Sequence, residues 1–118
     1  MPPAITSLMR LVFVTALGFT FIQATIPPQH ALHLLPWDKA EHFLAFYVLS
    51  LCASIAFPRR DLLWIAAWLA AFGGAIELVQ AVPILQRDCD WRDWLADLVA
   101  IAAALMPFAL ARWRADAR

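Results

Sequence analysis

Apolar positions fill four long stretches of the chain, and polar residues collect at the ends of those stretches rather than alternating within them. The first stretch runs from about Ile5 to Ile26 and stops at Pro27-Pro28. Proline lacks an amide hydrogen and cannot continue a helix, so the pair marks a boundary. Arg10 ahead of an apolar run has the look of a secretory leader. No small-x-small cleavage pattern follows, however, and more apolar spans come after it, so the reading is an uncleaved first transmembrane helix. Gln29 to Trp37 reads as a loop with an interfacial turn at Ala31 to Leu35, and Trp37 suits the headgroup layer.

Asp38-Lys39-Ala40-Glu41 opens the second helix, and Asp followed three residues later by Glu has capping-box spacing. That helix is expected to run to Phe57 and to stop at Pro58-Arg59-Arg60-Asp61. The third helix is expected from Leu62 to about Val82. Its small residues Ala66, Ala70 and Gly74 lie four apart, which permits close helix packing in a membrane. A loop from Pro83 to Cys89 then leads to the fourth helix, starting between Asp90 and Trp94 and continuing to about Trp113. Ala96, Ala100 and Ala104 give this helix a small face too, and Pro107 is expected to be tolerated inside it. The fold class is therefore an all-α membrane protein, a compact bundle of four transmembrane helices forming one domain over residues 1–118.

Composition strengthens that reading. The chain is 64% hydrophobic and 15% charged, whereas soluble domains are nearer half apolar and about a quarter charged. Too little polar surface exists to cover a soluble core of this size. The formal net charge of zero hides an uneven distribution. Arg10, Arg59, Arg60, Arg112, Arg114 and Arg118 fall at one end of the bundle, and Lys39, Arg87 and Arg92 at the other. Cationic loops stay inside, so both termini are expected to be cytoplasmic in a bacterial inner membrane. Without a basic patch beyond these flanking arginines, nucleic acid is not an expected partner. The lipid bilayer is, and the small-residue faces also suit a second helix or another copy of the chain. Two cysteines make no disulfide framework, and Cys52 in mid-helix and Cys89 in a loop should lie roughly 15 Å apart by helical rise.

The orientation gathers three polar segments at the outer leaflet: Asp38 to His42, Glu77 to Gln80, and Arg87 to Asp97. Capping and a favourable helix dipole account for Asp38, Glu41, Asp90 and Asp93 without any function. Lys39, Arg87 and Arg92 are also explained as interfacial charges. Glu77 and Asp97 lack that excuse. Glu77 approaches a helix C-terminus, where the dipole disfavours an anion, and Asp93 and Asp97 share a face and repel. Such groups pair with a cation, carry a proton or bind something. His42, Glu77 and Asp93 have the chemistry of acids, bases or ligands to a hard divalent ion. They have no diagnostic metal spacing, so no metal site or cofactor is assigned, and no Ser or Cys nucleophile sits beside His42.

Asp38-Lys39-x-x-His42, then Glu77-x-x-Gln80, then Arg87 and an Asp-rich start to the last helix, together resemble the VanZ-like family across residues 37–112. The resemblance implies functional positions at Asp38, Lys39, His42, Glu77, Gln80, Arg87 and Asp93. Asp97 stands where that family usually has Asn, and alanines replace glycines in the last helix. The family takes its name from a protein associated with teicoplanin resistance, and the resemblance supplies no biochemical activity. Three expectations follow. The outer polar pocket binds an anionic, lipid-linked envelope molecule; or it is a small intramembrane hydrolase or transferase using His and carboxylates; or it is structural, in an accessory subunit.

Overall fold

The computed structural model describes residues 2–26, 38–85 and 90–117. Four long helices and no strand occur among them. We label these α1 (Pro3–Thr25), α2 (Asp38–Ala56), α3 (Leu62–Gln80) and α4 (Trp91–Asp116). Each is long and apolar enough to cross a membrane. At ~1.5 Å per residue, the 19 residues of α2 and of α3 give about 28 Å, close to a ~30 Å hydrocarbon core.

Local chemistry fixes the ends. Pro3 sits in the first turn of α1, where a missing amide hydrogen costs nothing. The Asp61 carbonyl accepts from the Ile65 amide to begin α3, and Asp90 caps α4 by accepting from the Arg92 amide at 3.0 Å. The third helix ends at Gln80, two residues earlier than the apolar pattern suggests. The cause is Pro83, which begins a short 3-10 turn over Pro83–Leu85 in what reads as plain loop. Glu77 consequently lies one turn from its helix end, ~4.5 Å by rise. The last helix runs through Pro107, where the Ala103 carbonyl loses its usual amide donor. The capping-box side chain of Asp38, the interfacial turn at Ala31 to Leu35, Cys89 and Arg118 lie outside the described residues.

Successive helices run in opposite directions. At one end, Arg10 Nε donates to the Ala56 carbonyl at 2.9 Å, joining α1 to the end of α2. The Arg112 guanidinium donates there to the Arg60 and Pro58 carbonyls at 2.8 and 3.1 Å, tying α4 to the α2–α3 turn. At the opposite end, Gln80 Nε2 donates to the Ala24 carbonyl at 2.7 Å and Lys39 meets Asp90. The arginine end thus binds helix-terminal carbonyls, a favourable place for cations. Arg10 and Arg60 also lie 5.0 and 4.8 Å above the rings of Phe57 and Trp64.

The core is a stripe on each of α2, α3 and α4. Phe46, Leu49 and Ala53 meet Ile65, Leu69 and Ile76 from α3, and Ala100, Ile101 and Leu105 from α4. Ser50 and Ser54 are buried among them and donate to the carbonyls four residues back, at 2.7 and 2.9 Å. That local bond removes the cost of an unpaired hydroxyl donor. No residue of α1 is fully buried, and its Leu8, Leu11 and Val14 face outward with Leu63 and Trp68 of α3. Lipid is the natural solvent for such a surface. The deepest stripe of α3 is Ile65, Leu69, Gly73, Ile76, Glu77 and Gln80 rather than Ala66, Ala70 and Gly74. The small face instead seats Trp94, whose indole N–H donates to the Ala70 carbonyl at 2.9 Å.

Phe46 is fully buried and Leu63 is 82% exposed, so truncating each separates packing from lipid contact. Phe46→Ala should destabilise the bundle by about 3 kcal/mol, the lower end of soluble-protein values because lipid already solvates the unfolded apolar side chain. Leu63→Ala should change stability by less than about 0.5 kcal/mol. Unfolding in micelles reads both, and equal effects would contradict this core.

Candidate functional site

Each buried stripe changes character at the end where α2 and α4 begin and α3 finishes. On α4, the positions below Ala100 and Ile101 are Asp97 and Asp93. On α3, those beyond Gly73 and Ile76 are Glu77 and Gln80. On α2, Lys39 and His42 precede Phe46. A helical repeat that buries aliphatic groups for three turns therefore buries polar ones in the next. Glu77 is 6% exposed and Asp97 only 1%.

The geometry is a layered network. Lys39 Nζ lies 3.2 Å from Asp90 Oδ2 and 3.3 Å from Asp93 Oδ1, joining α2 to the start of α4. The Asp90 amide donates to Glu77 Oε2 at 3.1 Å, so the first residue before α4 also holds the last turn of α3. His42 Nδ1 lies 3.4 Å from Asp97 Oδ1. That approach sets which edge of the ring turns to Asp97, although it is too poorly aligned for a full hydrogen bond. One ligating atom from each of His42, Glu77 and Asp93 lies within 4.8 Å of the other two. Three helices thus contribute one donor apiece to a single point.

Several of these groups have unspent capacity. Glu77 Oε1, Gln80 Oε1 and Asp97 Oδ2 are buried with no hydrogen-bond partner among the described residues. Unpaired buried oxygens cost roughly 1–3 kcal/mol each, more when charged. Lys39 supplies one positive charge within reach of Asp90 and Asp93, and Glu77 has no ion-pairing cation among the described residues. The arrangement is acid-rich and underfilled.

Asp90 stands outside the membrane-spanning segments. Its bond from the Arg92 amide, followed by the Lys39 ammonium, holds its carboxyl below the usual carboxylate range. A depressed folded value contributes stability that is fully present above the ordinary pKa of about 3.9 and is lost as pH falls through the lower one.

Of the sequence-predicted positions, Lys39, His42, Glu77, Asp93 and Asp97 come together. Gln80 is buried beside them, but its amide nitrogen is committed to α1 at Ala24. Asp38 begins α2, with its side chain outside the described residues, as is all of Arg87. No family model, curated protein or solved structure matches the chain. The site is therefore read from its own geometry.

Two contributors escape a reading by charge and spacing. Asp90, assigned to capping alone, does cap α4 and also links Lys39 to Glu77. Gly73 has no chemistry, yet a Cβ there would stand 2.7 Å from Asp97 Oδ2 and 3.3 Å from Phe46 Cζ. The signal for it is its position four residues before Glu77, on the same helix face. A hydrogen in place of a methyl lets the Asp97 carboxylate reach the α3 surface.

Gly73→Ala should accordingly destabilise the bundle by about 1–3 kcal/mol through overpacking. Combining it with Asp97→Ala should recover much of that loss, because the clashing oxygen is gone. Strict additivity in a double-mutant cycle would show that the two residues are not in contact. For Asp90, substitution with Asn should flatten the acid limb of the stability profile, measured as thermal midpoint against pH below about 4.

Proposed function

We propose that the protein is a multi-pass protein of a bacterial cytoplasmic membrane that binds an anionic, lipid-linked envelope molecule at the polar end of its bundle. The observation that carries the reading is a groove of about 430 Å³ between α2 and α4, lined by Ala40, Phe43, Ala96 and Val99 with Lys39 at its polar end. An apolar furrow on a lipid-facing surface suits a hydrocarbon chain, and an ammonium at its end suits that chain's charged headgroup. An ammonium has three donors. Asp90 and Asp93 engage Lys39, while its side chain stays 31% exposed, leaving a donor direction for a headgroup oxygen.

Charge supports an outward-facing site. The excess of arginine at the opposite end favours a cytoplasmic location for that end and for both termini. The polar end then faces the periplasm or cell exterior, where lipid-linked wall precursors are accessible. The resemblance of Asp38-Lys39-x-x-His42 and Glu77-x-x-Gln80 to the VanZ-like family favours the same assignment and, with it, a link to glycopeptide sensitivity.

A hydrolase or transferase is the second reading, favoured by His42 held against Asp97 with Glu77 and Asp93 nearby. These are groups for moving protons. A purely structural cluster is disfavoured by its unpaired buried oxygens, which an accessory subunit gains nothing by keeping.

The test is retention of lipid by protein in nanodiscs, read by native mass spectrometry. Wild-type protein should retain a polyprenyl phosphate in preference to a zwitterionic lipid. Lys39→Ala should weaken retention about five- to tenfold, as expected for ~1 kcal/mol per basic residue near an anionic headgroup. Val99→Trp, which fills the furrow, should weaken it as well. Equal retention of both lipids by the wild-type protein would refute the proposal.

A further inference from the structure

We infer that the polar end of the bundle holds a divalent metal ion, ligated by His42 of α2, Glu77 of α3 and Asp93 of α4, with Asp97 orienting the histidine. This site adjoins the furrow through the Lys39–Asp93 contact but shares no ligand with it, and it stands whether or not an anionic lipid binds.

The donor set comes first. One imidazole and two carboxylates suit a borderline first-row dication such as Zn²⁺ or Mn²⁺ better than Ca²⁺, which takes oxygen ligands. The three ligating atoms lie within 4.8 Å of one another and come from three different helices. Ligands at about 2.1 Å from a tetrahedral ion stand about 3.4 Å apart, so binding would draw them closer by roughly an ångström. Rotation of the Glu77 carboxylate, which among the described residues is bound through Oε2 alone, supplies part of that movement.

The second observation concerns Asp97. It is 1% exposed, and its Oδ1 faces His42 Nδ1 at 3.4 Å. Metal-binding histidines commonly turn their other ring nitrogen to a carboxylate, which fixes the tautomer and raises the ligand's basicity. With Nδ1 toward Asp97, the lone pair of Nε2 is the one left to a metal. The third observation is the buried Glu77 Oε1, which has no partner among the described residues and belongs to the cluster itself. A cation supplies the missing interaction.

Charge agrees. Glu77, Asp90, Asp93 and Asp97 bring four carboxylates to the bundle end, and Lys39 brings one positive charge against Asp90 and Asp93. A dication offsets two of the three charges left, with His42 neutral as a ligand must be. Three protein ligands leave coordination positions open, the pattern of sites that take water or a ligand oxygen rather than of purely structural ones.

The test uses the untagged full chain in nanodiscs with His30→Gln and His33→Gln substitutions, so that His42 is the sole histidine. After chelator treatment, Mn²⁺ is added and followed by electron paramagnetic resonance, and Zn²⁺ content is measured by mass spectrometry after dialysis. We expect one ion per chain and a nitrogen hyperfine coupling to Mn²⁺ from one imidazole. His42→Gln should abolish that coupling and weaken binding at least tenfold, as should Glu77→Gln and Asp93→Asn. Asp97→Asn should weaken binding 10–100-fold, the usual effect of losing an orienting carboxylate. Asp61→Asn, at the opposite end, should bind as the parent does. No saturable ion, or binding without the nitrogen coupling, would overturn the inference even if every variant failed to fold. Unchanged binding in folded His42→Gln and Glu77→Gln would overturn it too. Because lipid retention is measured separately, a failed metal test leaves the furrow proposal standing, and the reverse.

Discussion

Carboxylates buried where a bundle meets lipid are the constraint around which the rest of this structure is arranged. Glu77 and Asp97 are almost wholly removed from water, and three helices must bring donors or charge to them. A carboxylate moved into a low-dielectric interior without compensation costs several kcal/mol even after relaxation. Among the described residues that compensation is an amide from Asp90 for Glu77 and the edge of His42 for Asp97. Three described residues hold those contacts in register. Lys39 ties α2 to α4, Gln80 ties α3 to α1, and Gly73 lets the Asp97 carboxylate approach α3.

The two ends of the bundle solve different problems. At the arginine end, the guanidinium groups of Arg10 and Arg112 cover carbonyls where helices stop or turn, and those of Arg10 and Arg60 lie over the rings of Phe57 and Trp64. At the acidic end, acceptors outnumber donors among the described residues, and buried oxygens go without partners. A mismatch of this kind marks a place where a ligand or ion completes the set. The metal inference arises from that asymmetry, and the lipid proposal from the furrow beside it.

Between the ends, the core imposes rigidity on the site. Phe46 touches the same glycine surface as Asp97 and packs against Phe72 with its ring tilted by 42° and the centroids 6.0 Å apart. The polar layer therefore rests on close-packed rings and aliphatic groups, which transmit displacement rather than absorb it. The proposed metal site depends on how well those neighbours hold His42 and Asp97 within reach of one another.

Much of the helical plan was legible along the chain, because apolar runs of membrane length and proline stops act locally. Pro58 and the Asp90 cap delimit helices by chemistry that needs no tertiary contact. The polar faces were legible too, since Glu77 and Gln80, or Asp93 and Asp97, fall three or four apart on a helix. What the tertiary structure decided is which of these groups meet. Ligand atoms of His42, Glu77 and Asp93 converge from positions 35 and 16 residues apart in sequence, and no spacing rule along one helix encodes that meeting. Asp90 acquired its bridge to Glu77 in the same way, and Gly73 its importance, from a carboxylate on another helix. Apolar length marks each span, but with apolar residues on the outward faces as well, packing decides which side of a helix is buried and what it faces.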